Sequence, residues 1–248
     1  MPENYVDLIV TSPPYNVGIK YRSYCDTQAQ DEYWKFAEEW MHACKRVLRV
    51  GGRICINIPC MGTNDKIKKS DGYIAYLPKY SVVLSKYFEL REYVTWVKKT
   101  GDLDVSSSFC GNNTAWGSWL SPSCPYMRST TEFIVVGHKE LPKLLHSGVS
   151  DLTKEEFLLW TRDIWCFPTE SDRSHPAPFP EDLPKRLIKL YTYIGDTVLD
   201  PFSGSGTTCV SAMKLKRKYI GIELDDLYVK DSINRVERER PTDTMGIW

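Results

Sequence analysis

The chain has 248 residues, 42% of them apolar, which is enough for one large domain or two small ones with a sizeable core. Lysine and arginine together number 32, as do aspartate and glutamate, so the net charge is zero and gives no global argument for a nucleic-acid partner, although local basic patches remain compatible with one. The eight cysteines are scattered without a Cys-x-x-Cys pair, which argues against a disulfide-stapled protein. Neither a signal peptide nor an apolar stretch of membrane-spanning length is visible, which argues against a membrane-embedded protein. A cytoplasmic protein with reduced thiols is therefore predicted.

The first third of the chain predicts a strand, a helix and a second strand. Residues 6–10 (VDLIV) are a short continuous apolar run, which is typical of a strand buried on both faces. Residues 31–50 carry apolar side chains at helical spacing, and Gly51 and Gly52 are expected to stop this helix. Residues 53–58 (RICINI) then read as a strand. This βαβ order predicts a parallel sheet and an α/β fold.

The remaining elements are predicted from the same periodicities. In chain order they are a helix over residues 74–90, strands over 91–99 and 132–139, a helix over 152–160, a short strand over 163–167, a helix over 181–192, a strand over 198–200, a helix over 207–215, a strand over 219–223 and a charged helix to about residue 239.

One long segment interrupts this order. Residues 100–131 are rich in Ser, Gly, Asn, Pro and Trp and show no helical period. Such insertions in compact domains are usually functional or disordered. Trp116, Trp119 and Tyr126 favour an ordered segment.

A glycine loop follows the strand predicted over residues 198–200. In DPFSGSGTT (residues 200–208), Gly204 and Gly206 permit positive φ and a close approach of the backbone to a ligand. The following helix offers free N–H groups at its start. Glu223 closes the next strand, where an acid can bind ribose hydroxyls. The pattern lacks the Lys of a phosphate-binding loop and the third glycine of the dinucleotide fingerprint. It therefore predicts a nucleoside-containing ligand, with a plain tight turn as the alternative.

A rigid corner follows the first strand. In TSPPYN (residues 11–16), the two prolines cannot continue a sheet ladder, and they restrict the residues before them. In doubly wound sheets, ligands bind outside the carboxyl ends of strands where the strand order reverses. If the strands predicted over residues 6–10 and 198–200 are neighbours where the order reverses, the corner faces the glycine loop. A strand-terminating turn with a packed tyrosine is the alternative.

Together, TSPPYN and the downstream DPFSGSGTT resemble the β-group of S-adenosylmethionine-dependent DNA amino-methyltransferases, and the intervening segments follow the family order. The resemblance implies an α/β fold, a doubly wound Rossmann-like methyltransferase sheet with an inserted irregular target-recognition segment. It also implies S-adenosyl-L-methionine as cofactor and double-stranded DNA as substrate. Ser12 at the first motif position resembles the cytosine-N4 type. An adenine-N6 enzyme and a non-catalytic DNA-binding subunit are the alternatives.

The resemblance assigns the catalytic corner. Ser12 Oγ and the Pro13 carbonyl are expected to accept hydrogen bonds from the target amine, which localises its lone pair. Pro13 and Pro14 make this geometry rigid. Tyr15 is expected to stack on a base rotated out of the duplex, because the target atom cannot be reached within the stack.

The resemblance also assigns cofactor contacts. The residues expected on the cofactor's methionine and backbone side are Asp200, Pro201, Phe202, Gly204 and Gly206. Thr208 is expected to reach the cofactor carboxylate, and Glu223 to hold the ribose hydroxyls. His175 and Ala177 fall where family members contact the methionine moiety, although His175 equally fits a loop-capping role.

DNA contacts are expected around the insertion. The candidates are Lys98, Lys99, Trp116, Trp119 and Arg128, with lysine on phosphate and arginine on base edges as the ordinary roles. A tryptophan-anchored surface loop is the alternative. The basic run over residues 214–218 (KLKRK) is interpreted as a solvated helix end. No metal site is expected, since the four histidines are scattered and no HExxH occurs.

The predicted organisation is one methyltransferase domain with a catalytic half over residues 1–99, a target-recognition insertion over 100–131, and a remainder with the cofactor-binding half over 132–248. Only five residues precede Val6, so the further strand that family members usually carry before the catalytic motif is expected to be missing. The sheet edge that this leaves favours a homodimer or another partner. A cognate restriction endonuclease is expected as a possible partner. The expected location is the cytoplasm of a prokaryotic or virus-infected cell, in association with the nucleoid.

Overall fold

The computed structural model describes residues 1–23, 26–62, 74–98, 118–125, 129–170 and 179–241. The described chain forms nine strands and six helices. In chain order they are β1 (Val6–Thr11), α1 (Gln30–Val47), β2 (Leu48–Ile58), β3 (Met61–Gly62), β4 (Ile74–Ala75), α2 (Tyr76–Ser85), β5 (Glu89–Lys98), β6 (Thr131–His138), α3 (Lys154–Trp160), β7 (Ile164–Phe167), α4 (Asp182–Tyr191), β8 (Thr197–Asp200), α5 (Thr207–Lys214), β9 (Lys218–Gly221) and α6 (Asp226–Arg238). Within these ranges, no helix combines the length and apolarity needed to cross a membrane.

Seven of the strands form one sheet in the order β7-β5-β6-β2-β1-β8-β9. β1 lies between β2 and β8 and is parallel to both, with Leu8 opposite Val198. The chain crosses from β1 through α1 to β2 in one direction and from β8 through α5 to β9 in the other. The strand order therefore reverses between β1 and β8, which is where ligands bind in such sheets. The predicted doubly wound α/β sheet is confirmed.

The sheet is mostly but not wholly parallel. β6 runs antiparallel to both β2 and β5, and β7 is parallel to β5. β5 and β6 are thus adjacent antiparallel strands, and the insertion predicted over residues 100–131 leaves the sheet at the end of one and returns at the start of the other. Most of that insertion lies outside the described residues.

The core lies on both faces of the sheet, as the run VDLIV predicts. Ile9 packs toward α1 and α2, with Met41 among its neighbours in that cluster. Leu8 and Val10 point to the opposite face, where Leu187 of α4 belongs to their cluster. All six residues of β1 are buried. Because neither face of β1 is exposed to solvent, most of its side chains are apolar.

The expected role of Gly51 and Gly52 was wrong. The helix α1 ends at Val47, and β2 begins at Leu48, before the glycines. Gly51 has a φ of +83°, and a Cβ there would lie 2.0 Å from the Lys143 carbonyl oxygen. The pairing of β1 with β2 shifts register at this place. The glycines therefore form an irregularity within β2 that lets a second segment cross closely.

Candidate active site

A cavity of about 400 Å³ lies at the carboxyl ends of β1 and β8. Both predicted motifs line it. The lining residues that the sequence predicted are Ser12, Pro13, Pro14, Tyr15, Pro201, Phe202, Gly204 and Glu223. The corner and the glycine loop therefore face each other, although Thr11 and Asp200 at their starts are 189 residues apart in sequence.

Asp200 connects the two motifs from beneath the cavity. Its Oδ1 accepts a hydrogen bond from Thr11 Oγ1 at 2.7 Å, and its Oδ2 accepts one from Thr208 Oγ1 at 2.8 Å. The backbone N–H of Phe202 donates to the same carboxylate at 3.0 Å. Burial raises the pKa of Asp200 to about 6, against the lowering effect of these donors. Asp200 and Thr208 are buried and do not line the cavity, so their geometry favours a positioning role over direct ligand contact.

The two glycines of the loop have different surroundings. Gly204 lines the cavity with a φ of +48°. Gly206 is the N-cap of α5 with a φ of +79°, and a Cβ there would lie 2.1 Å from Ser232 Oγ of α6. Gly204 therefore permits close approach to a ligand, whereas Gly206 permits close packing of two helices.

Glu223 presents a preorganised carboxylate to the cavity. Its Oε2 accepts from the Gly204 N–H at 2.9 Å, and its Oε1 accepts from the N–H groups of Leu224 at 2.8 Å and Asp225 at 3.0 Å. β9 ends at Gly221, so Glu223 lies just beyond the strand. A carboxylate oxygen has more than one lone pair, and the group can accept from further donors while these bonds persist.

Aromatic rings support the side of the cavity that the glycine loop forms. The ring of Phe202 makes edge contacts with Trp40 at 5.4 Å and with Phe36 at 5.9 Å between centroids, and both partners belong to α1. The loop after β8 is therefore packed on the helix that follows β1. A flat apolar ligand face fits such a surface.

The catalytic corner is held by hydrogen bonds from neighbouring elements. Ser12 Oγ lies 2.5 Å from Tyr15 Oη, and Tyr15 Oη donates to the Asn57 carbonyl at 2.8 Å. Tyr33 Oη donates to the Pro14 carbonyl at 2.9 Å. Burial raises the pKa of Tyr15 well above its usual value, so its hydroxyl stays protonated.

The last residue of the motif anchors the loop that follows. Asn16 is buried with a φ of +58°. Its Nδ2 donates to the Gln28 carbonyl at 2.8 Å, and its Oδ1 accepts from the Gln28 N–H at 2.7 Å. This two-point contact returns the chain to the cavity, which Gln28 lines.

The predicted DNA contacts are only partly described. The ammonium of Lys98 pairs with the Glu132 carboxylate, and the Lys98 side chain is 21% exposed. Trp119 is 65% exposed. Five predicted site residues lie outside the described ranges: Lys99, Trp116, Arg128, His175 and Ala177.

Sequence reasoning missed several lining residues, namely Tyr21, Ser23, Gln28, Phe36, Phe179, Leu224, Asp225 and Tyr228. The aromatic ones carry no functional signal, because Phe36 and Tyr228 belong to helices and read as core, while Tyr21 and Phe179 lie in loops without a motif. Asp225 could have been found: it is an N-cap residue, accepting from the N–H groups of Leu227 and Tyr228 at the start of α6. Asn57 could also have been found, since it is a polar residue between two isoleucines near the carboxyl end of β2.

A glycine loop, the Glu223 carboxylate and the Ser-Pro-Pro-Tyr corner line one cavity at the reversal point of a doubly wound sheet, which is typical of an enzyme with a nucleoside-containing cofactor. The family profile described as DNA methylase, for N6 and N4 methyltransferases, matches residues 6–234. The chain therefore belongs to this DNA methylase family, as the sequence resemblance predicted.

Individual relatives agree with this assignment. The chain is 38% identical over 173 residues to type II methyltransferase M.MjaVI of Methanocaldococcus jannaschii, covering 70% of this chain and 82% of that protein. It spans 59% of the length of M.MjaI from the same organism and 63% of M.BglII from Bacillus subtilis. It is 25% identical over 250 residues to the DNA adenine methyltransferase YhdJ of Escherichia coli K12, covering 96% of this chain and 78% of that one.

Two solved structures share the fold. TTHA0409 of Thermus thermophilus, complexed with S-adenosyl-L-methionine, superposes with a TM-score of 0.75 at 25% identity, covering 98% of this chain and 89% of that one. The PvuII DNA methyltransferase, which is cytosine-N4-specific, superposes with a TM-score of 0.69 at 20% identity, covering 96% and 84% of the two chains. At that identity the second likeness concerns the fold alone.

Proposed function

We propose that this chain transfers a methyl group from S-adenosyl-L-methionine to the exocyclic N4 of a cytosine that has been rotated out of duplex DNA. One observation carries the proposal: a serine hydroxyl and the glycine loop line the same cavity at the reversal point of the sheet. The family assignment supports DNA as the substrate and S-adenosyl-L-methionine as the cofactor.

The cavity residues fit this cofactor. The Glu223 carboxylate would accept hydrogen bonds from the ribose hydroxyls, and Gly204 would allow its backbone to approach the ligand. Phe202, held by Trp40 and Phe36, offers a flat apolar surface. When bound, the cofactor supplies an electrophilic methyl group on its sulfonium. Asp200 and Thr208 would maintain the loop from below.

The corner would activate the amine. The lone pair of an exocyclic amine is delocalised into the base, so the amine is a poor nucleophile. Two acceptors aimed at its hydrogens draw it toward tetrahedral geometry and localise the lone pair. Ser12 Oγ and the Pro13 carbonyl are proposed as these acceptors, because the Pro14 carbonyl already accepts from Tyr33. The proline φ angles hold the acceptors in place before substrate binds.

Tyr15 is proposed to contribute its ring to the flipped base while its hydroxyl holds Ser12. Stacking of a base on an aromatic ring is worth roughly 1–3 kcal/mol. That gain offsets part of the cost of taking the base out of the duplex.

Methylation of adenine N6 is the second candidate. The similarity to the adenine methyltransferase YhdJ over 96% of this chain favours it. Ser12 favours cytosine through the resemblance to the Ser-Pro-Pro-Tyr type. The two reactions use the same corner and differ in the base that the cavity admits.

The insertion between β5 and β6 is proposed to recognise the DNA sequence, as a segment within one methyltransferase domain. Trp119 offers an exposed ring for this purpose. Lys99, Trp116 and Arg128 remain proposed DNA contacts on sequence grounds. His175 and Ala177 likewise remain proposed cofactor contacts.

A homodimer with a cognate endonuclease partner, in a prokaryotic cytoplasm, is proposed for the assembled system. β9 is an edge strand of the described sheet, and the exposed side chains of Leu224 and Leu227 lie directly after it. Exposed strand edges invite pairing. Light scattering with and without DNA would give the mass of the species, and a monomer under both conditions would reject the dimer.

One experiment tests the reaction and the base together. The protein is incubated with unmethylated genomic DNA and S-adenosyl-L-methionine, and the DNA is digested to nucleosides for mass spectrometry. We expect N4-methyldeoxycytidine from the wild type. Ser12→Ala should lose most of this product while it still binds the cofactor, and Glu223→Gln should lose cofactor affinity. N6-methyldeoxyadenosine would overturn the base assignment and keep the mechanism. Cofactor binding without any methylated base would indicate a non-catalytic DNA-binding subunit.

A further inference from the structure

Five side chains form a continuous polar network behind the catalytic corner. We call it the Ser12 network; its members are Ser12, Tyr15, Asn57, Glu132 and Lys98. They come from the corner after β1, from β2, from β6 and from β5, so four neighbouring parts of the sheet meet here. Ser12 and Tyr15 line the cavity, whereas the other three lie behind them.

The direction of each hydrogen bond in this network follows from the chemistry of the groups. The Asn57 carbonyl can only accept, so Tyr15 donates its single hydroxyl proton to it at 2.8 Å. Tyr15 Oη must then accept from Ser12 Oγ, which lies 2.5 Å away. The proton of Ser12 is thereby directed into the protein, and the lone pairs of Ser12 Oγ remain for a donor in the cavity.

Asn57 adds a second donor to the tyrosine oxygen. Its Nδ2 lies 3.3 Å from Tyr15 Oη and 2.5 Å from Glu132 Oε2. Glu132 can only accept while ionised, so the amide nitrogen must face it. Within the described residues, Asn57 Oδ1 is buried and has no hydrogen-bond partner. The amide is therefore oriented by its nitrogen, and Glu132 determines that orientation.

Lys98 completes the network. Its ammonium pairs with Glu132 Oε1, and the two side chains are 21% and 16% exposed. A carboxylate with this little solvent is costly unless it is paired. Lys98 is the charge partner of the Glu132 carboxylate, whose other oxygen accepts from Asn57 Nδ2. This pairing favours a structural role for Lys98 over contact with a DNA phosphate.

From these contacts we propose that Asn57 and Glu132 are positioning residues for methyl transfer: they act through the Tyr15 hydroxyl to hold Ser12 Oγ as a hydrogen-bond acceptor for the target amine. The inference rests on the proposed function and deepens it. Without Glu132 the Asn57 amide loses its fixed orientation, and the Tyr15 hydroxyl loses one of the three groups that hold it. Ser12 can then turn its proton toward the cavity, where it opposes the N–H of the amine.

A double-mutant cycle tests this inference. Methyl transfer to DNA is measured as kcat for wild type, Glu132→Ala, Tyr15→Phe and the double variant. We expect Glu132→Ala to lower kcat by about tenfold, equivalent to a coupling of roughly 1.4 kcal/mol. In the Tyr15→Phe background the same change should cost no more than about twofold, because the hydroxyl through which Glu132 acts is already gone. A full tenfold loss in both backgrounds would overturn the inference.

Two further measurements separate positioning from general damage. Glu132→Gln retains an oxygen that can accept from Asn57 Nδ2, so it should restore kcat to within about threefold of wild type. The cofactor Kd should stay within about twofold in every variant at position 132, since the cofactor side of the cavity is untouched. A loss in Glu132→Gln as large as in Glu132→Ala, or a matching loss of cofactor affinity, would indicate a structural role instead.

Lys98 offers an independent arm. Lys98→Met should lower kcat and leave the salt dependence of DNA binding unchanged. If Lys98 bound a phosphate, the slope of log K against log salt would fall by about 1 instead. Failure of the proposed function remains distinguishable throughout, because the identity of the methylated nucleoside tests the base assignment and the ratios between variants test the network.

Discussion

Asp200 joins the two halves of the site through hydrogen bonds. Thr11, which precedes the catalytic corner, and Thr208, in the first turn of α5, both donate to its carboxylate. The first contact spans 189 residues of sequence. An ionised carboxylate can accept all of its donors at once, whereas a carboxylic acid must use one oxygen as a donor. The protonation state of this residue therefore bears on the geometry of the whole cavity.

We expect cofactor affinity to depend on pH through Asp200. Burial raises the pKa of this carboxyl to about 6. Cofactor affinity should weaken several-fold between pH 7 and pH 5, and Asp200→Asn should bind more weakly with a flat profile over that range. Titration calorimetry at half-unit steps would measure it, and an unchanged inflection in the Asn variant would assign the effect to another group.

The raised pKa of Asp200 also makes the free energy of unfolding depend on pH. The folded protein binds this proton more tightly than the unfolded chain, in which the pKa lies near 3.8. The contribution of Asp200 to the free energy of unfolding is therefore fully present below pH 3.8 and is lost as pH rises through about 6. At neutral pH, Asp200 therefore holds the two motifs together but no longer adds this contribution to the free energy of unfolding.

At the scale of elements, the contact between α5 and α6 depends on one missing side chain. Gly206 begins α5 with positive φ, and Ser232 of α6 occupies the space that a Cβ would need. Gly195 also has positive φ, at +88°, but nothing lies within 4 Å of its Cβ position. Comparing Gly195 with Gly206 therefore distinguishes the cost of positive φ alone from the added cost of a steric clash.

Replacing these two glycines should have unequal effects. Gly195→Ala should cost about 1 kcal/mol of stability from backbone strain alone. Gly206→Ala should cost about 2–3 kcal/mol, because the helices must also move apart. Chemical denaturation would give both values. Adding Ser232→Ala should recover part of the loss at position 206 and none of the loss at position 195; equal costs at the two glycines would contradict the steric account.

The sequence run KLKRK shows why a charge pattern predicts an element poorly. It was interpreted as a solvated helix end, and for Arg217 this was wrong. The Arg217 guanidinium is buried and bonds Asp151 with two contacts, at 2.9 and 2.8 Å. It also donates to the Thr192 hydroxyl at 3.0 Å and to the carbonyls of Thr192 and Leu215 at 2.8 and 2.7 Å. Nothing in the run distinguishes this arginine from its exposed neighbours.

On the scale of the whole molecule, Arg217 joins three segments that are distant in sequence: the approach to α3, the end of α4 and the entry to β9. Arg217→Met should lower the free energy of unfolding by about 3 kcal/mol, because it leaves Asp151 without its charge partner. For a chain of this size that corresponds to a fall in Tm of about 6–12 °C. Scanning calorimetry would measure it.

The matched control is Arg238→Met, since Arg238 is 72% exposed at the end of α6. Its effect should stay within about 0.5 kcal/mol. Equal shifts in the two variants would reject the account of Arg217.

Much of the architecture could be predicted because it follows from local periodicity. The apolar run of β1 required burial on both faces, and the two motifs at strand ends required a shared edge of a parallel sheet. Other features depend on segments that are remote in sequence. Gly51 is an irregularity within β2 rather than a helix stop, because residue 143 crosses there. Lys98 is only partly exposed, because its ammonium pairs with Glu132. The local sequence fits a helix stop and a strand irregularity equally well at Gly51, and a DNA contact and an ion pair equally well at Lys98. Only the contacts with residues remote in sequence distinguish these alternatives.

The connection between β5 and β6 has a consequence for how this protein can change. The two strands pair up to Val97 and Thr131, and the Lys98 N–H donates to the Thr130 carbonyl at 2.9 Å. The exit and the return of the intervening segment are thus joined by the sheet itself. Doubling the length of a segment closed in this way costs only about 0.6 kcal/mol. The fold can therefore accept an intervening segment of a different length while the strands on either side keep their pairing.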